Sequence, residues 1–423
     1  METILTPSQI RSQRRVARSE REDRRKAKFD MKTSPVASGV ASVMKTKITF
    51  DDLDTHQLKT HHGIHSWWNN GAIKPLVVLG YAGTGKTSLL SVSLPMLSNS
   101  DGSTVRVVYV AYTGKASQVL KTKGLEAQTA HSLIYDPAPS EDDPDTMVFI
   151  LKNPSTIPYE LIVVDEASMI PQDMRSDLES LGIPLLFVGD GGQLPPVDGF
   201  GNIMDYPDYK LEDVHRQSLD SGVIKIATEV RKGITVAKGT YGVKGDATKL
   251  GKDWANNLEF IAGHDMVVCY TNATRHSFNE ALREYKGFSG RYPKVGESLI
   301  CKRNNKITGM TNGLILEVTA IREEDSCLIM DGEDEAGNHY YGLKVYTNYF
   351  DGYEHPKIFG RTTLDIFEFG YCLTGHSCQG SQWDSVCVIE EVMRGQSTDM
   401  KRRWLYTVLT RAIKRVTWIS RHG

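Results

Sequence analysis

Long hydrophobic runs are absent from this sequence. Its apolar stretches are short, VVYVAY at Val107–Tyr112 being typical, and none approaches the roughly 18 residues that a membrane span requires. The N-terminus also lacks the apolar core of a signal peptide. Cysteine is scarce, with 6 in 423 residues and no CxxC spacing. That excludes a disulfide scaffold and makes a reduced, cytoplasmic protein the expectation. Glycine and proline, at 37 and 16, hold an ordinary share, so a collagen-like or low-complexity chain is excluded. Net charge is nearly absent as well, at −2. Any grip on a polyanion must therefore come from local placement of cations rather than from bulk charge. The asymmetry sits at the start: residues 1–30 carry nine Lys/Arg against five Asp/Glu, a net of +4, leaving −6 for the remainder.

What the sequence does have is a repeating alternation of strand-like and helix-like segments. After an Arg-rich arm and linker over residues 1–45, apolar runs such as Pro75–Gly80, Val105–Ala111, Leu161–Glu166 and Pro184–Asp190 alternate with helix-like stretches. The rhythm returns at Met266–Thr271 and Ser385–Glu390, with a helix over Met400–Ala412 and a final strand at Val416–Ser420. This predicts an α/β fold of two lobes, each built on a parallel sheet. The expected boundaries are 46–216 for the first lobe, and 217–290 with 362–423 for the second. Two stretches interrupt the alternation. Residues 134–159 read as an inserted hairpin, and 291–361 as a small β-barrel insertion.

The chemistry is concentrated at GYAGTGKT, Gly80–Thr87, which follows a strand and opens a helix. Glycines at such a position let backbone N–H groups curl around a phosphate at a helix N-terminus. Gly80, Gly83, Thr84, Gly85, Lys86, Thr87 and Ser88 are thus the expected nucleotide cradle. Lys86 would reach the outer phosphates and Thr87 would ligate Mg2+. LIVVDE delivers Asp165 to the Mg2+ shell and Glu166 to the attacking water. Gln193, in GDGGQLPPV, would contact water or the γ-phosphate. These residues together predict nucleoside triphosphate hydrolysis. His56, His61, His62 and His65 read as a solvated helix face beside Trp67–Trp68, with His61 and His65 spaced to share a metal.

The ordered set GYAGTGKT, VVDEAS, GDGGQLPPV, VHRQ (Val214–Gln217), GHSCQGSQWDSV (Gly375–Val386) and LYTVLTRA (Leu405–Ala412) resembles superfamily 1 helicases, most closely the RecD/Dda-like branch. The resemblance implies two RecA-like lobes and an ATP-dependent DNA helicase moving 5′ to 3′, phage or bacterial, with Mg-ATP between the lobes. It implies that Gln57 reads adenine and that Arg216 and Arg411 reach the γ-phosphate. Strand contacts by resemblance are Thr113, Thr129, His131, Asn272, Arg275, Thr374 and His376, groups suited to sequence-independent phosphate and sugar contacts, while Tyr112 would stack on a base and Pro195 would stiffen the loop linking the ATP site to the strand. The 134–159 insertion occupies the place of a strand-separating pin and 291–361 that of an SH3-like barrel, with Lys302, Arg303 and Lys306 on its basic face. Two positions depart from the branch: Tyr112 stands where Pro is usual, and Ser377 where Lys is usual. Expected partners are single-stranded DNA, fork or tailed duplex DNA and a single-strand-binding or replisome protein, with a monomeric chain, no membrane, and the host cytoplasm if phage-encoded. Alternatives are an RNA helicase, since nothing here reads a 2′-hydroxyl, or a nucleic-acid-stimulated ATPase switch that remodels a complex without unwinding.

Overall fold

The computed structural model describes residues 48–139, 147–196, 202–213, 220–305, 307–324, 327–335, 337–347, 350 and 364–420. The Arg-rich arm over 1–45, Arg216 and Lys306 lie outside the described residues. The first lobe runs through β1 (Leu76–Gly80), β2 (Val107–Ala111), β3 (Ala127–Thr129), β4 (Tyr135–Pro139), β5 (Met147–Leu151), β6 (Leu161–Val164), β7 (Leu185–Gly189) and β8 (Tyr209–Leu211). Six of these form one sheet in the order β3-β2-β6-β7-β1-β8, with every pairing parallel. β1, β6 and β7 are buried along their whole length, as strands covered on both faces must be. Val77, Leu79, Ile162 and Phe187 supply one core, while Leu76, Val78, Val163 and Leu186 supply the other. The remaining two strands, β4 and β5, pair antiparallel as a separate hairpin, on which Val148, Phe149 and Ile150 are exposed.

The second lobe contributes β9 (Gly239–Tyr241), β10 (Ala247–Leu250) and β11 (Met266–Cys269). The chain then departs through β12 (Ser298–Cys301), β13 (Ile315–Glu324), β14 (Cys327–Asp334), β15 (His339–Val345) and β16 (Phe367–Phe369). It returns through β17 (Cys372–Thr374), β18 (Trp383–Ile389) and β19 (Ala412–Ile419). The lobe sheet has the order β17-β11-β18-β19-β10-β9, parallel except for β9 against β10. The inserted sheet is antiparallel, in the order β15-β14-β13-β12-β16. A bridge between Val345 and Asp365 ties its far edge back toward β16.

Two expectations are corrected by this layout. The insertion takes its last strand from Phe367–Phe369, beyond the expected limit at 361, because Leu299 and Cys301 pair with Phe369 and Phe367. The helix expected over Met400–Ala412 spans Thr398–Leu409, capped at its start by the Ser397 hydroxyl, and Ala412 already begins β19. Among the described residues, no helix is long and apolar enough to cross a membrane.

Candidate active site

The phosphate loop leaves the C-terminal end of β1 and enters the helix Lys86–Ser93. Gly85 caps that helix with φ 74°, in the left-handed region that glycine enters without strain. A side chain at Gly80 would meet Lys86 Cγ at 2.7 Å, so the lysine stem needs glycine beneath it. The Lys86 ammonium donates to the Gly80 carbonyl at 2.6 Å and to the Tyr81 carbonyl at 3.4 Å. It is thereby held over the loop, on neutral acceptors that a phosphate oxygen outcompetes. Gln57 is buried behind the loop. Its side-chain oxygen accepts from the Asp54 N–H, and its amide donates to the Thr84 and Gly85 carbonyls at 3.4 and 3.3 Å. In this structure Gln57 braces the phosphate loop, and contact with adenine would require it to exchange one of these partners.

The acidic pair follows β6. Burial first and the neighbouring Glu166 second hold the Asp165 carboxyl above its usual range, with Lys86 pulling the other way. Glu166 sits at φ 49°, a left-handed conformation rare for a side-chain-bearing residue and the kind of local strain found at functional sites. Gln193 is 4% exposed; its amide donates to Glu166 Oε2 at 3.4 Å, while its Oε1 is buried without a partner. An orphaned acceptor beside a carboxylate is a place for a water, which can donate to it. Lys86, Thr87, Asp165, Glu166, Gln193 and Arg411 line one cleft of about 570 Å³ between the lobes.

Arg411 is 3% exposed, on the connection between the helix Thr398–Leu409 and β19. Its guanidinium donates to the Thr407 carbonyl, the Ser381 carbonyl and the Thr410 hydroxyl at 2.9, 3.4 and 3.3 Å. The charge is thus parked within its own lobe at the wall of the cleft. The same helix docks on the loop after β7. The Leu194 N–H donates to the Thr407 hydroxyl at 2.9 Å, Arg403 to the Gly191 carbonyl at 2.8 Å, and the Tyr406 hydroxyl to Asp190 Oδ2 at 2.6 Å. Sequence reading missed Asp190, Arg403, Tyr406 and Thr407 as lobe contacts. The detectable signal was their i, i+3, i+4 spacing, which puts Arg403, Tyr406 and Thr407 on one helix face just before LTRA.

The candidate strand contacts fall into two groups. Thr113, Thr129 and Thr374 stand at the C-terminal ends of β2, β3 and β17, each accepting from a backbone N–H three residues on. Thr271 does the same after β11 and makes Asn272 the first, exposed residue of the helix Asn272–Tyr285. These turns lie on the same strand ends as the cleft, and a side chain at Gly380 would meet the Thr113 hydroxyl at 2.8 Å across the lobes. Tyr112 and His376 are exposed, Pro195 is half-buried, and His131 packs edge-on to Phe149 of the hairpin at 4.3 Å between ring centres. Arg275 is a correction. It is buried at 4% exposure and ion-paired with the equally buried Glu368, which also lies 3.3 Å from Lys302, so its guanidinium does not face a strand.

The histidine cluster is also corrected. His61 is buried with Nδ1 3.0 Å from the Ser93 hydroxyl, and His65 Nε2 lies 3.2 Å from the Ser93 carbonyl. Burial, followed by repulsion from His65 and His62, lowers the His61 pKa to about 4. The rings of His61 and His65 thus pack against the phosphate-loop helix, while His62 is exposed and His56 half-buried, so only part of the expected solvated face is present. Among the described residues, no group of three or more His, Cys, Asp or Glu is arranged to hold a metal.

Comparison with known proteins places this geometry in context. The AAA domain family matches residues 72–247, and the UvrD-like helicase C-terminal domain matches residues 369–419. The ATP-dependent RecD2 DNA helicase of Deinococcus radiodurans is 26% identical over 372 residues, covering 80% of this chain and 46% of its own length. An uncharacterized protein of Methanocaldococcus jannaschii is 23% identical, covering 80% of this chain and 36% of its own length. The chain therefore spans less than half of the curated relatives it matches. Among solved structures, the Bacteroides Pif1 helicase with ADP-AlF3 and single-stranded DNA superposes with a TM-score of 0.53 at 17% identity, over 87% of this chain and 92% of that one. The Candida albicans Pif1 helicase gives 0.50 at 17% identity, over 87% and 94%. At these identities the likeness is one of fold.

Proposed function

We propose that this superfamily 1, RecD/Pif1-like chain is an ATP-dependent DNA helicase that moves 5′ to 3′ along single-stranded DNA and separates duplex. The observation that carries the reading is the cleft itself, where Lys86, the Asp165–Glu166 pair and Gln193 of one lobe face Arg411 of the other. On nucleotide entry Lys86 exchanges its carbonyl partners for phosphate oxygens, and the loop N–H groups hold the rest. Glu166 accepts a proton from the attacking water, and the unpartnered Gln193 oxygen orients that water. Arg411 exchanges its carbonyl partners for the charge developing on the transferred phosphoryl group as the lobes close.

Thr87 and Asp165 line this cleft beside Lys86 and offer hard oxygen donors, which suit a divalent cation shared with phosphate oxygens. Thr87 and Asp165 would hold Mg2+, which when bound polarises the phosphate oxygens. Closure and opening of the cleft alternate the grip of two sets of capped turns on the strand, the Thr113 and Thr129 turns in one lobe and the Asn272 and Thr374 turns in the other. The hairpin with exposed Phe149 and Ile150 acts as the pin at the duplex junction, and the inserted sheet as an SH3-like guide for the strand.

Steady-state hydrolysis with and without single-stranded DNA, for wild type and Lys86→Ala, tests this. Strand-stimulated turnover that Lys86→Ala lowers by about a thousandfold or more is expected, since the outer phosphates lose their cation. Normal turnover in the variant would remove the assignment of the site.

A further inference from the structure

We infer that Tyr406 is a positioning residue that couples the phosphate loop to the Gln193 loop across the lobes, an inference that rests on the nucleotide-site reading above. Its hydroxyl has one proton to give and gives it to Asp190 Oδ2 at 2.6 Å. The Tyr406 hydroxyl oxygen itself accepts the Ala82 N–H of the phosphate loop at 2.8 Å. Asp190 in turn accepts the Gly192 N–H on Oδ1 at 2.9 Å, one residue before Gln193. One hydroxyl from the second lobe therefore joins the backbone of the loop that cradles phosphate to the backbone of the loop that carries Gln193.

The surroundings keep these groups from bulk water. Tyr406 is 1% exposed and Asp190 fully buried, so a broken contact is not replaced by bulk water. Beside them the guanidinium of Arg231, also from the second lobe, stacks 3.4 Å from the ring centre of Tyr81, the residue before Ala82. The rest of the Gln193 loop is tied to the second lobe as well, through Thr407 and Arg403 and through Gln379, whose amide donates to the Leu194 carbonyl at 3.3 Å. Both loops, carried by the first lobe, are thus docked on the second, the Gln193 loop through several contacts and Ala82 through Tyr406. The Tyr406 hydroxyl is where their relative position is set. A shift of the phosphate loop when nucleotide enters changes the Ala82 contact, and through Asp190 it changes the placement of Gln193 against Glu166. Tyr406 touches none of the reacting atoms and acts through Asp190.

The test uses the full chain, with Tyr406→Phe, which removes one oxygen and keeps the buried ring, and Asp190→Asn. Hydrolysis is measured with and without single-stranded DNA, together with the ATP KM and thermal melting. The ratio of strand-stimulated to unstimulated turnover should fall about tenfold in Tyr406→Phe while the KM stays within about twofold, and the double variant should be no worse than the poorer single one. A purely structural role lowers both rates in proportion to the folded fraction; an unchanged ratio in Tyr406→Phe overturns the inference. If single strands fail to raise wild-type turnover, the motor reading falls and this inference with it.

Discussion

Arg275 and Glu368 lie 93 positions apart in the chain, and together they make a buried ion pair on the inner side of the helix Asn272–Tyr285. Read locally, an arginine in TNATR looks free to bind phosphate, because nothing nearby in sequence supplies an acceptor. Only the return of the chain through β16 brings one. Removing Arg275 takes the more buried cation from the Glu368 carboxylate, even with Lys302 at 3.3 Å, so Arg275→Ala should lower stability by about 3 kcal/mol in urea unfolding. Its effect on strand affinity, once corrected for the folded fraction, should be small; a selective loss of affinity and of its salt dependence would return Arg275 to the strand face. The phosphate-loop residues were legible for the opposite reason. Their role depends on backbone curvature and a helix start that the motif itself encodes within eight positions. The bracing role of Gln57 was not legible, since its acceptors, the Thr84 and Gly85 carbonyls, become neighbours only through tertiary packing.

At the scale of elements, the central strands were readable because a sheet covered on both faces demands unbroken apolar runs, as in LVVLG and LLFVG. Helix and insertion limits were less so. Thr410 and Arg411 continue a helical pattern in sequence, yet the chain turns there to start β19. Phe367–Phe369 is a short Phe-Glu-Phe stretch that carries no local mark of its partner and is claimed by β12 of the insertion. Ser377, one of the two departures from the resembled branch pattern, serves the turn after β17: its N–H and its hydroxyl both meet the Thr374 hydroxyl. The hairpin exposes Val148, Phe149 and Ile150 on β5, away from the lobe cores. Exposed apolar residues in a row are expensive to keep in water unless they meet something. Replacing Phe149 and Ile150 with Ser should leave strand-stimulated hydrolysis within about twofold and reduce duplex unwinding about tenfold or more, because the ATP cleft does not include them. Unimpaired unwinding by that variant would assign the hairpin another role.

The two lobes of the molecule, each built on a largely parallel sheet, are joined in part by the face of one helix, Thr398–Leu409, against one loop, Asp190–Leu194. That junction sits beside the nucleotide cleft, so whatever closes the cleft also moves the strand-end turns of one lobe against those of the other. The two-lobe plan was legible from the return of the strand–helix rhythm after residue 266, whereas the interlocking of the lobes was not, since it depends on pairs such as Tyr406 and Ala82, 324 positions apart.

The central claim is directional movement on DNA driven by this cleft, and the most direct measurement of it is unwinding of two partial duplexes, one with a 5′ single-stranded tail and one with a 3′ tail, each made in DNA and in RNA, with Mg-ATP. The account predicts separation of the 5′-tailed DNA alone, abolished by Lys86→Ala. Separation from the 3′ tail, or of RNA in preference to DNA, would contradict the claimed direction or substrate. Hydrolysis stimulated by single strands with no separation of any duplex would contradict unwinding itself and leave an ATPase switch.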